Sequence, residues 1–235
     1  MSRCSGKPSN LIRIMPAKGR KMNSVSHGGF VDGASAAGAA APRSLNWRIV
    51  DIVVASVLGV ACGFVFLVWN TVGYAWFEAM DALTPGLGGI ATGIWLIGGV
   101  IGGLIIRKPG AALYVELLAA IVSAVLGSQW GPSTVYSGIA QGIGVEIVLA
   151  IFLYRRFGLV IAMLGGMAAG WGAFVLELFT SGNLGKTLQF NLIYLVTLSI
   201  SGAILAGAVG YVVVNALAKT GALDRFAVGR EQHSA

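Results

Sequence analysis

The chain has 235 residues, of which 56% are hydrophobic and only 11% charged, with a mean hydropathy of +0.81 and a formal net charge of +7. Soluble domains carry about 25% charged residues, so this composition excludes a soluble enzyme, a fibrous protein and a nucleic-acid binder. The basic excess therefore points first to a membrane surface.

Residues 1–46 are basic and then rich in Gly, Ala and Ser. They hold no continuous apolar stretch, so they are expected to form a disordered cytoplasmic tail and not a cleaved signal peptide. From Arg48 to Ala218 the chain is apolar enough for about six spans of roughly 20 residues each. The first is predicted over Ile49–Asn70, with a loop holding Tyr74, Trp76, Phe77, Glu78 and Asp81 as far as Pro85. The second covers Leu87–Ile106 and stops at Arg107-Lys108-Pro109-Gly110. The third covers Ala111–Ser128 and stops at Gln129-Trp130-Gly131-Pro132. The fourth covers Ser133–Tyr154 and stops at Arg155-Arg156. The fifth covers Gly158–Thr180, and the sixth takes most of Leu188–Ala218. The expected organisation is an all-α, polytopic membrane domain of six helices over residues 47–220, with a C-terminal tail over residues 221–235.

Lys and Arg set the orientation. Eight lie between Arg3 and Arg48, four more are Arg107, Lys108, Arg155 and Arg156, and three are Lys219, Arg225 and Arg230. Only Lys186 falls on the other side. Both termini are therefore expected in the cytoplasm, consistent with an even number of spans.

The pattern removes most chemistry. His27 and His233 lie in the tails, and Cys4 and Cys62 make no CxxC, so no metal or redox pair follows. The run Gly182-Asn183-Leu184-Gly185-Lys186-Thr187 looks like the end of a phosphate-binding loop, but Thr180 stands where the first glycine belongs. No nucleophile and base can be paired within the spans. No catalytic set and no cofactor is expected.

Polar groups inside spans are costly and informative. Asp51 sits at the cytoplasmic end of the first span, where it is expected to pair with Arg48 or another basic residue. Glu116 and Glu146 lie deeper, and each must be paired, protonated or facing a cavity. Glu177 lies near the outer end of the fifth span. Trp69, Trp76, Trp130, Tyr136, Trp171 and Tyr194 gather in the outer half, at a depth shared with Gln129, Gln141, Asn183, Gln189 and Asn191. An interfacial belt accounts for some of these rings. The asymmetry also predicts an outward-opening pocket suited to a flat, partly cationic heterocycle. Small residues recur at helical spacing, among them Ala55, Gly59 and Gly63, and allow close helix packing.

Several ordered motifs carry a resemblance. They are Trp47–Ala55, Gly59–Gly63, Ile105–Ala112, Glu116-Leu117, Gly127–Gly131, Gln141–Glu146 and Ala218–Asp224. Together they resemble the YkoE family, substrate-binding (S) components of energy-coupling factor (ECF) transporters, from about Trp47 to Arg230. The resemblance implies a multi-pass protein of the prokaryotic cell membrane with a site near its outer surface. It implies thiamine or its hydroxymethylpyrimidine precursor as substrate, and a transmembrane T component and ABC ATPase subunits as partners. It also implies that small residues on the first helix, here Ala55, Gly59 and Gly63, dock the T component, and that the subunit topples in the bilayer to deliver its ligand. The expected substrate-binding residues are Gln129, Trp130, Gln141 and Glu146, followed by Trp69, Trp171, Glu177, Asn191 and Tyr194. Two alternatives stand beside this: a proton-coupled carrier with Glu116 and Glu146 as relay, and a ligand-free scaffold.

Overall fold

The computed structural model describes residues 45–233. The tail expected over residues 1–46 lies almost wholly outside them. The described chain is all-helical. Five of its apolar segments are long enough to cross a membrane, and one shorter apolar helix packs among them.

Helix α1 runs Ile49–Leu83, 35 residues, or about 52 Å against a hydrocarbon core of about 30 Å. Asp51 in its first turn accepts from the Arg48 backbone N–H at 2.7 Å and tethers the start. The loop expected after Asn70 is instead helix. Nothing between Asn70 and Leu83 breaks a helix, and polar Tyr74, Glu78 and Asp81 cost nothing where the helix has left the hydrocarbon. The break comes at Pro85, which forces Thr84 into an extended conformation. Gly86 then turns at φ 97°, where an added Cβ would meet the Phe190 carbonyl oxygen at 2.7 Å.

The second span is two pieces. Leu87–Leu96 is a 3₁₀ helix, far longer than the usual three or four residues. It is wedged against a later helix: the Gly93 N–H donates to Ser201 Oγ at 2.8 Å, and Ser201 Oγ donates to the Ile90 carbonyl at 2.7 Å. Helix α2, Ile97–Ile106, follows with every residue buried. It is the axis of the bundle. The other helices surround it and turn apolar side chains such as Val57, Phe64, Val68, Ile147 and Val175 outward, as a bilayer solvent requires.

Helix α3, Ala111–Val125, has 15 residues, about 22 Å, too short to span alone. The chain from Leu126 to Pro132 continues as irregular backbone, mostly exposed with Ser128 buried, and sets Trp130 against Tyr74 of α1 at 5.4 Å between ring centroids. Helix α4 is Ser133–Ile151 and α5 is Leu159–Thr180. Their backbones touch: a Cβ on Gly144 would lie 2.2 Å from the Ala168 carbonyl oxygen, and one on Gly172 would lie 2.2 Å from that of Ala140.

The last span is interrupted. Helix α6, Leu188–Ser201, passes through a π-helical stretch at Gly202–Ala208 into α7, Val209–Lys219. The wide turn presses Gly202 onto Gly166 of α5. A short helix α8, Ala227–His233, ends the described chain. The segment expected as a tail is packed, with Leu223, Phe226 and Val228 buried.

The candidate docking stripe needs correction. Ala55 is fully buried, and added methyl groups on Gly59 and Gly63 would meet Leu118 and Val122 of α3 at 2.8 and 2.6 Å. Small residues spaced by four signal close packing without naming the partner. Here the partner is α3, so this stripe is not a free docking face.

Candidate functional site

A cavity of about 330 Å³ opens among α1, the 3₁₀ stretch, α4, α5 and α6. Each helix contributes one face at helical spacing: Phe66, Asn70, Tyr74 and Phe77 from α1, Ser133, Ser137 and Gln141 from α4, Glu177 and Thr180 from α5, and Phe190 and Tyr194 from α6. Trp95 and Thr92 come from the 3₁₀ stretch and Trp130 from the α3–α4 connection.

Its wall is aromatic and interlocked. Trp130 stands edge-on to Trp95 at 5.5 Å and to Tyr74 at 5.4 Å. Tyr74 stacks with Phe77, and Phe77 stands edge-on to Tyr194 at 6.2 Å. Polar groups fix the rings. Trp95 Nε1 donates to Asn70 Oδ1 at 2.8 Å, and Asn70 Nδ2 donates to Ser123 Oγ at 3.1 Å. The Tyr194 hydroxyl donates to Glu177 Oε2 at 2.7 Å. Glu177 is the carboxylate among the lining residues and Lys186 the ammonium, and Lys186 Nζ lies 4.0 Å from the centre of the Phe190 ring. Such a chamber can sandwich a flat ring, hold a cation against Glu177 and indole faces, and meet the polar edge of a ring with Asn70 and Gln141.

The opposite end is built from charge. Asp51, fully buried, is paired with Arg48 at 2.8 Å and with Lys108. The hydrogen bond to Asp51 raises the Arg48 guanidinium above its ordinary value. Arg107, in the left-handed region at φ 56°, makes a bidentate bridge to Glu231 of α8 at 2.6 and 2.8 Å and lies over the Phe157 ring. The expected Arg48–Asp51 pairing is therefore present, enlarged by Lys108.

The sequence-predicted residues divide. Trp130, Gln141, Glu177 and Tyr194 line the cavity. Trp69 stands behind it, donating to the Ala91 carbonyl at 2.9 Å and meeting Trp95 edge-on. Asn191 donates to the carbonyl of Asn183, a lining residue, at 2.9 Å. Gln129 is exposed beside Trp130 and is not part of the lining. Trp171 is half-exposed on α5 and donates to Ser199 Oγ of α6 at 2.8 Å, outside the cavity. Glu146 lies away from it: it accepts from the Ala112 and Leu113 N–H groups at the start of α3 and from the Tyr154 hydroxyl at 2.7 Å. A carboxylate on a helix N-terminus is a cap. Trp95, Asn70, Tyr74, Phe77, Ser137 and Lys186 were not among the expected substrate-binding residues. The signal for the α1 group was present, since Phe66, Asn70 and Tyr74 follow one another at intervals of four.

The sequence pattern of the family described as ABC-type cobalt transport system, permease component, matches residues 50–172. YkoE of Bacillus subtilis (strain 168), an HMP/thiamine permease by name, is 38% identical over 190 residues, 79% of this chain and 92% of that protein. The crystal structure of an S-component of an ECF transporter superposes with a TM-score of 0.69 at 34% identity, covering 80% of this chain and 94% of that one. The fold, the apolar spans and these likenesses agree: the chain belongs to the YkoE family of integral membrane S components of ECF transporters.

Proposed function

We propose that this S component captures thiamine or its hydroxymethylpyrimidine precursor in the aromatic cavity. The observation that carries this is Glu177 held by Tyr194 at the edge of a chamber walled by Trp95, Trp130, Tyr74 and Phe77. Both compounds carry a flat, nitrogen-rich pyrimidine ring, and thiamine joins it through a methylene to a cationic thiazolium. The cavity volume sits at the lower end of small-molecule sites, about 300–1,000 Å³. The relative named for HMP/thiamine supports the same ligand class. We further propose that the Arg48, Lys108 and Arg155 end faces the cytoplasm, because basic residues collect there. The cavity then opens outward. A transmembrane T component and ABC ATPases supply the energy, docking on a face other than the Ala55-Gly59-Gly63 stripe.

The carrier alternative needs Glu116 and Glu146 as a proton relay. Both instead hold backbone N–H groups, of Gly99 and of Ala112 and Leu113, which favours the binding-subunit assignment.

The test is tryptophan fluorescence of the detergent-purified chain titrated with each compound. Saturable quenching is expected, because Trp95 and Trp130 line the cavity. A folded sample that responds to neither compound removes the assignment.

A further inference from the structure

Glu116 lies fully buried next to the cavity residue Gln141. It sits where the 3₁₀ stretch passes into α2. In a regular α-helix the Gly99 N–H faces the carbonyl of Trp95, four residues back. Here the Gly99 N–H donates to Glu116 Oε2. The Trp95 carbonyl accepts from the Gln141 side-chain amide at 3.0 Å, and the same nitrogen donates to Glu116 Oε1 at 3.0 Å. The Gln141 oxygen accepts from the Ser137 hydroxyl at 2.6 Å. A backbone carbonyl never donates, so the Trp95 oxygen requires the amide nitrogen on its side, and this orientation gives every group around it a partner.

The consequence follows from counting hydrogens. An amide nitrogen carries two, and both are used inside the protein. Gln141 has nothing left to donate, and what it can offer a ligand is the second lone pair of its oxygen. Ser137 spends its single hydroxyl hydrogen on that oxygen and is likewise left an acceptor. Both residues line the cavity.

We propose that Gln141 is a specificity-determining residue and Glu116 its positioning residue: together they make this wall of the cavity an acceptor surface that selects a ring presenting an N–H donor and rejects the ring with a carbonyl oxygen in its place. The proposal rests on the heterocycle assignment above and deepens it. An aminopyrimidine supplies the donor through its exocyclic amine. The oxo counterpart sets acceptor against acceptor, and a site built to hydrogen-bond one group discriminates strongly against its absence.

The experiment measures the affinity of the full chain in detergent for two probes, hydroxymethylpyrimidine with its exocyclic amine and the same ring with an oxo group instead. Wild type is expected to prefer the amine about a hundredfold or more. Gln141→Leu should bring the ratio to within about fivefold of unity. Glu116→Gln keeps the volume but places an amide where only acceptors stood. No orientation of Gln141 then satisfies all its neighbours, and the ratio should fall about tenfold. A merely structural role for Glu116 would weaken both probes alike and leave the ratio unchanged. An unchanged ratio in Gln141→Leu overturns the proposal, whether or not the Glu116 variant folds. Wild type binding both probes equally overturns it while leaving the heterocycle site standing. Wild type binding neither overturns both.

Discussion

The two ends of this molecule treat their polar groups in opposite ways. At the Arg107–Lys108 end, charges are consumed by one another. Asp51 is shared by Arg48 and Lys108, Arg107 is forked onto Glu231, and Glu146 closes the start of α3. At the Trp130 end, polar groups such as Glu177, Gln141 and Lys186 line an open chamber. One end is a fastening and the other a receptor. Substitutions at the first should therefore change stability and spare affinity, and substitutions at the second should do the reverse.

The largest effect is expected midway between the ends, where the helices touch. An added Cβ on Gly166 would lie 2.1 Å from the Gly202 carbonyl oxygen. Gly166→Val should prevent folding altogether, read as loss of a monodisperse peak after detergent extraction, because backbone cannot move aside as a side chain can. At the fastening, Asp51→Ala leaves buried Lys108 without its carboxylate, with only the Asn46 carbonyl to accept from it, and should cost about 3 kcal/mol of stability. Thermal unfolding would show it, and affinity for the pyrimidine should stay within about twofold. At the receptor, Glu177→Gln should weaken thiamine binding at least tenfold, about 1.4 kcal/mol, with the unfolding temperature nearly unchanged. Trp130→Ala removes one ring of the wall and should cost about 1 kcal/mol of affinity, read by calorimetry. The smallest change in affinity is expected for Glu146→Gln. It loses a charged helix cap, about 1 kcal/mol of stability, and should bind as wild type does. A tenfold loss of affinity there would erase the distinction between the two ends.

Much of the fold was legible because the chain punctuates itself. Arg107-Lys108-Pro109-Gly110 and Pro132 mark turns that the structure keeps nearly to the residue. The α1 overrun was not legible, because polar residues after Asn70 look the same in a loop and in a helix standing above the hydrocarbon. The 3₁₀ and π-helical stretches leave no trace in hydropathy, since they arise from close contacts such as Gly93 with Ser201 and Gly166 with Gly202. In the site, burial cost singles out Gln141 and depth brings in Glu177, and both line the cavity. The same argument singled out Glu146, which resolves its cost by capping a helix. A carboxylate's expense says that it must be answered, and not by whom. Trp95 went unmarked because mid-span tryptophan normally signifies packing, and only the neighbouring Asn70 and Trp130 turn it into a wall.

Helix α1 is roughly 20 Å longer than the hydrocarbon is thick, and its last turns carry Tyr74 and Phe77. With its Arg48 end at one interface, an upright α1 holds those rings above the far surface of the hydrocarbon. On the outward orientation proposed above, a molecule seated there has crossed almost none of the barrier. Capture and passage are then separate acts, and they pull against each other. Each tenfold gain in affinity adds about 1.4 kcal/mol that must be undone at the other side. A tight isotherm and a fast flux are opposing demands on the same few side chains, and they can be met together only if something outside this chain forces the grip open.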